Sequence, residues 1–123
     1  LPFFAAPKGP MVRLGPHLAF EPDALVAPLP EPSSESLEIS NPILVVEVLS
    51  PSTAQFDATT KLKGYFELPC LQHYLLVDPE GGAITHHKRA QNGIETRVFD
   101  SGTLDIDPPG FSISLDAIFR RGV

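Results

Sequence analysis

At 123 residues, with 42% hydrophobic and 20% charged side chains, the chain has the size and composition of one folded domain with its own core. Nine Lys and Arg against 15 Asp and Glu leave a formal charge of -6, which argues against tight nonspecific nucleic-acid binding through a broad basic face. No apolar run approaches the roughly 18 residues a membrane-spanning helix needs, and the lone Cys70 forbids an intrachain disulfide.

A lone thiol suits a reducing cytoplasm, the expected location, with Cys70 itself a small buried hydrophobe. The opening LPFFAAPKGP has no initiator Met and no basic stretch before an apolar one, so it reads as an internal start and not as a signal peptide. Prolines then punctuate residues 1–42 with turns. Between them, MVRLG (Met11–Gly15) and LAFEPDALVA (Leu18–Ala27) read as short strands, the second bent or ended at Pro22, and Pro28–Asn41 reads as a polar loop.

The continuous β-branched run Ile43–Leu49 is the pattern of a central strand covered on both faces. A helix is expected over Ala54–Leu68, capped by Ser52 or Thr53 and ended by Pro69, with Phe56, Leu62, Tyr65 and Phe66 or Leu68 sharing a buried stripe. HYLLVD (His73–Asp78) is a second buried strand, and PEGG is a tight turn. AITHHKR (Ala83–Arg89) is a hairpin partner, and IETRVFD (Ile94–Asp100) follows the QNG turn. FSISLDAIF closes the chain as a short strand and a helical turn. Strand, helix, strand implies a right-handed βαβ unit in a mixed sheet, so the fold class is α/β.

Glu47 stands alone among the apolar residues of its strand. An ionised carboxylate cannot be taken out of water without a partner. Three groups could meet at one end of the sheet: Asp23 after Pro22, Glu47, and Lys61 on the following helix, with Asp57 one turn before Lys61 on the same helical face. Two carboxylates from adjacent strands suit a hard divalent cation such as Mg²⁺, and a nearby lysine can orient water or neutralise charge on a phosphate. Plainer alternatives exist: Asp23 as a turn initiator, Glu47 in a buried pair with Lys61 or Arg13, and Asp57 with Lys61 as a surface pair. His86 and His87 adjoin in a strand, so they face opposite ways and cannot easily chelate one metal; an exposed hairpin is expected there. Arg89, like Lys88, Arg97, Arg120 and Arg121, could touch a phosphate backbone, but scattered surface charge is the default reading.

The stretches EPDALV, NPILVVEVLSPST, FDATTKLKGYFEL and HYLLVDPE resemble the Uma2 family (DUF820) of restriction-endonuclease-like proteins, a branch of the PD-(D/E)XK nuclease superfamily. The resemblance runs over about Glu21–Phe119. It implies a single restriction-endonuclease-like domain over residues 1–123, a mixed β-sheet flanked by helix, with residues 1–20 an incomplete N-terminal flank. It further implies a Mg²⁺-dependent endonuclease acting on DNA, with Mn²⁺ able to substitute. Asp23 and Glu47 match the acidic metal ligands, and the backbone carbonyl of Val48 would be a third. Leu49 stands where a lysine is expected, and the role moves to Lys61; Asp57 matches an accessory position. Tyr65 and Tyr74 fit as packing residues with a polar handle. The family usually carries a further helix and strand before the PD element, and it commonly has Trp at Leu75 and Gly at Pro69 or Cys70. The contrasting expectation is a noncatalytic nuclease-like module whose acidic surface serves protein partners. Exposed sheet edges lead to the expectation of a homodimer.

Overall fold

The computed structural model of the chain describes residues 3–16, 18–33, 38–50 and 54–120, and the side chains of all of these except 54–58. In chain order the strands are β1 (Phe3–Pro7), β2 (Met11–Gly15), β3 (Leu18–Phe20), β4 (Ala24–Pro28), β5 (Glu38–Ile39) and β6 (Leu44–Val48). Helix α1 (Ala54–Phe66) leads into β7 (His73–Asp78), β8 (Ala83–Ala90) and β9 (Gly93–Phe99), and β10 (Thr103–Ile106), β11 (Phe111–Ser114) and α2 (Leu115–Phe119) follow. A six-stranded mixed sheet, β1-β4-β6-β7-β8-β9, forms the centre. Only β6 and β7 run parallel in it, because α1 carries the chain back across the sheet between them.

Each face of this sheet has its own apolar cluster. On one face α1 and a small sheet, β3-β2-β5, pack through Val12, Ile39, Tyr65 and Leu71 against Leu25, Val45 and Tyr74. On the other, the β10–β11 hairpin and α2 place Leu104, Ile106 and Leu115 on Leu44, Leu75 and Ile84. The two central strands are therefore covered on both sides, which is why β6 and β7 read as nearly unbroken apolar runs. The α/β class and the restriction-endonuclease-like mixed sheet flanked by helix are what the chain adopts.

Several local expectations change. The strand expected over Met11–Gly15 is β2, but Phe3–Pro7, given no element from sequence, is β1 and forms an edge of the main sheet through five pairs with β4. The strand expected over Leu18–Ala27 is two strands in different sheets, because the chain leaves one layer for the other at Glu21–Pro22. The polar loop Pro28–Asn41 contributes β5, which pairs with β2 in parallel. The segment after Asp100, assigned no element from sequence, supplies β10.

The His86–His87 hairpin is not exposed: both side chains are only 7% accessible. They do face opposite sides, as alternation requires, but both sides are covered. His86 lies on the β10–β11 side with its Nε2 2.9 Å from His73 Nδ1; His87 lies on the α1 side, its Nδ1 2.8 Å from Thr96 Oγ1. Cys70 is half-buried, and burial pushes its thiol pKa up. The proposed caps Ser52 and Thr53 lie outside the described residues, as do Arg121 and the side chains of Phe56 and Asp57.

Candidate active site at the ends of β4 and β6

Asp23 immediately precedes β4 and extends its ladder with β6, donating its backbone N–H to the Val46 carbonyl at 2.9 Å. Its carboxylate then turns to β6, where Oδ2 accepts the Val48 N–H at 2.7 Å. Strand residues send N–H and C=O to the same edge, so the Val48 carbonyl also lies on the Asp23 side of β6. Leu49 confirms the alternation by donating in the other direction, to Val77 on β7 at 2.8 Å. Among the described residues the outer oxygen of Asp23 has as its ion-pair partner only Lys8 Nζ at 4.0 Å, with the Lys8 side chain 64% exposed.

Glu47 lies between these backbone contacts on the α1 face and is 7% exposed. Its two oxygens are taken by two residues one helical turn apart on α1: Lys61 Nζ is 3.4 Å from Oε1, and the Tyr65 hydroxyl donates to Oε2 at 2.7 Å. Close packing sets that reach. A Cβ on Gly64 would come within 2.8 Å of Phe20 Cε2, so only glycine lets the helix sit this near β3. Phe20 in turn meets the Tyr65 ring edge-on at 5.2 Å and lies 5.9 Å from the Lys61 ammonium.

Burial raises the Glu47 pKa above the ordinary carboxylate range; the Tyr65 hydrogen bond and the Lys61 charge pull it back, and the charge of Asp23 pushes it up again. Burial, and then the Glu47 charge, raise the Tyr65 pKa far enough to keep its proton in place, so it acts as a donor only. The buried pair that sequence allowed between Glu47 and Arg13 does not form, because Arg13 pairs with Glu38. Among the described residues no three His, Cys, Asp or Glu side chains cluster as a metal cage. What Asp23, Glu47 and the Val48 carbonyl offer is an all-oxygen donor set with two carboxylates, and that chemistry fits Mg²⁺, which commonly takes one or two carboxylates and keeps water. The accessory residue Asp57 has its side chain outside the described residues.

Two residues matter here that sequence reasoning underrated. Tyr65 is fully buried, and its polar handle is spent on Glu47; its i+4 spacing from Lys61 was the available signal. Arg89 is not a scattered surface charge. Its guanidinium donates to the carbonyls of Leu71 (2.7 Å), Phe66 (3.0 Å) and Leu68 (2.8 Å) and lies 5.3 Å from the Phe66 ring, closing the C-terminal end of α1.

The Uma2 family model, described as "Putative restriction endonuclease", matches residues 2–117. The chain belongs to the Uma2 family. A crystal structure of a DUF820 "putative nuclease" from Anabaena variabilis superposes with a TM-score of 0.76 at 20% identity, covering 97% of this chain and 69% of that one. Two Synechocystis sp. proteins described as uncharacterized are also similar. The protein slr1290 is 35% identical over 101 residues (80% of this chain, 53% of the relative), and sll1609 is 39% identical over 72 residues (57% and 41%). The chain thus spans about half the length of these relatives or less. Among its described residues no helix is long and apolar enough to cross a membrane.

Proposed function

We propose that this Uma2 domain is a metal-dependent endonuclease that hydrolyses DNA phosphodiester bonds. The observation that carries the reading is Glu47: a carboxylate kept in a buried strand at a desolvation cost, beside Asp23, with an ammonium and a phenol holding its two oxygens. A purely structural position would be met more simply by an apolar residue.

Asp23, Glu47 and the Val48 carbonyl would hold Mg²⁺, with Mn²⁺ able to substitute. When bound, the cation supplies Lewis-acid stabilisation of the charge that grows on the phosphoryl oxygens. Tyr65 fixes the Glu47 carboxylate in one orientation. The Val48 N–H does the same for Asp23. Lys61, partly exposed at 22%, presents its ammonium at the mouth of the site, where it can orient an attacking water and neutralise the scissile phosphate. The net charge of -6 makes these local contacts more important than any broad attraction to DNA. The lone Cys70 accords with a cytoplasmic setting.

The Lys61–Glu47 pair also favours a second reading, a noncatalytic nuclease-like interaction module, since Lys61 and Tyr65 already supply Glu47 with partners. Isothermal titration of Mn²⁺ into the wild type and into Glu47→Gln separates the two. The nuclease reading expects a binding heat that vanishes in the folded variant, and nicking of plasmid DNA that is lost in Glu47→Gln and Lys61→Met. A folded wild type that takes up no Mn²⁺ overturns it in favour of the module.

A further inference from the structure

The last strand of the main sheet, β9, is an edge, and six of its seven residues, Gly93–Val98, are exposed. Its hydrogen-bonding phase can be read from the turn. Ala90 and Gly93 flank the two-residue turn Gln91-Asn92, so they form a hydrogen-bonded pair. The far side of β8 agrees, since Arg89 donates its N–H to the Gln72 carbonyl at 2.9 Å, away from β9. Alternation then turns the backbone groups of Gly93, Glu95, Arg97 and Phe99 toward β8. Those of Ile94, Thr96 and Val98 point outward, and among the described residues no backbone hydrogen bond receives them.

We propose that this edge docks a second copy of the chain, the two β9 strands pairing antiparallel about a twofold axis at Thr96. In that register Ile94 lies opposite the partner's Val98, and every outward N–H and C=O finds its counterpart. Glu95 lies opposite the partner's Arg97, and by symmetry the same ion pair forms twice. Neither residue has an ion-pair partner among the described residues of its own chain. These are non-hydrogen-bonded pairs, in which side chains approach most closely. Gly93, where a Cβ would have nothing within 4 Å, falls opposite the partner's Phe99 ring.

The same pattern disfavours the other registers. A twofold axis at Glu95 sets two carboxylates face to face, and one at Arg97 sets two guanidinium groups face to face. Axes at Ile94 or Val98 leave the Glu95–Arg97 pairs unmade. The Thr96 register also covers exposed apolar surface, because Ile94 is 42% and Val98 67% accessible in the single chain. The opposite edge of the sheet, β1, is shorter and ends at Pro7, which has no N–H to donate. The result is one continuous twelve-stranded sheet, twice the six strands of one copy, with an active-site candidate on each half. The inference does not rest on the nuclease reading, since pairing is set by β9 alone.

Sedimentation velocity and light scattering test it on the intact protein, with circular dichroism as the check of folding. The wild type is expected to sediment as a dimer, Arg97→Glu to lose the dimer boundary, and the double exchange of Glu95→Arg with Arg97→Glu to regain it, because the swapped charges are again complementary. A wild type that stays monomeric at its highest soluble concentration overturns the proposal. So does a dimer that survives Arg97→Glu, or a folded double exchange that remains monomeric. Mass is the readout, so an inactive nuclease site leaves the result unchanged.

Discussion

The Tyr65 hydroxyl donates to Glu47 Oε2 at 2.7 Å across the interface between α1 and β6, and it does so inside the core, where Tyr65 is fully buried. Substituting Tyr65→Phe keeps the ring in place and removes only the donor. The variant is expected to lose about 1–3 kcal/mol of stability, the cost of leaving a buried acceptor with one partner fewer. The Glu47 pKa should also move further up, because the tyrosine hydrogen bond is what most strongly holds it down. Urea unfolding and carboxyl NMR titration check the two effects separately.

Glu47 has a folded pKa raised above the reference 4.5. In the unfolded chain it ionises at its ordinary pKa, so over the window from 4.5 up to the raised value the folded state holds the extra proton and stability falls as pH rises. Its stabilising contribution is complete below 4.5 and lost above the folded pKa. Glu47→Gln removes this dependence. At neutral pH the variant should melt at or above the wild type, a gain of stability accompanied by loss of Mn²⁺ binding. Thermal unfolding across pH measures it, and a variant that melts well below the wild type at neutral pH would contradict it.

His86 has the opposite sign. Burial, then the neighbouring His73 ring and the Lys88 charge, push its pKa down from 6.5 to about 4. The unfolded chain therefore takes up a proton that the folded chain refuses, and stability drops as pH falls from 6.5 through about 4. His73 and His87, both lowered mainly by burial, add to the same limb. Replacing His86→Gln should flatten the acid limb of the stability curve. In the wild type, the His86 ring resonances should titrate only near the bottom of that range.

Arg89 closes the end of α1 by donating to three carbonyls, two of which belong to the turn after the helix. Arg89→Ala is expected to cost about 2–3 kcal/mol, the scale of hydrogen bonds from a charged group. Arg89→Lys should recover only part of it, because an ammonium cannot make the forked contact. Since the same helix carries Lys61 and Tyr65, amide exchange over α1 should speed up in the alanine variant, and this separates a helix-closing role from surface charge.

Much of this architecture was legible from pattern. Continuous apolar runs at β6 and β7 with a 13-residue helix between them specify a parallel pair with a crossover. The single acid in β6 marks the place where polar partners must gather. The short strands β1 and β5 were not legible, because at five and two residues each owes its existence to a partner distant in sequence, and the four residues of β10 are too few to mark a strand by alternation. Met11–Gly15 and the stretch from Leu18 read as strands among proline turns, but nothing local says that they build part of the layer under α1 or that Phe3–Pro7 supplies the far edge of the main sheet.

By itself the sequence determined the α/β class, the crossover unit and the anomaly at Glu47, because periodicity and isolated charge are local properties of a chain. Tertiary structure alone decided what meets each side chain. Alternation sends His86 and His87 to opposite faces but says nothing of what covers those faces; here both are covered, and both rings are buried. Helical spacing puts Lys61 and Tyr65 on one side of α1. That they grip the two oxygens of one carboxylate follows from the close approach of the helix at Gly64, a distance set by packing between residues far apart in the chain.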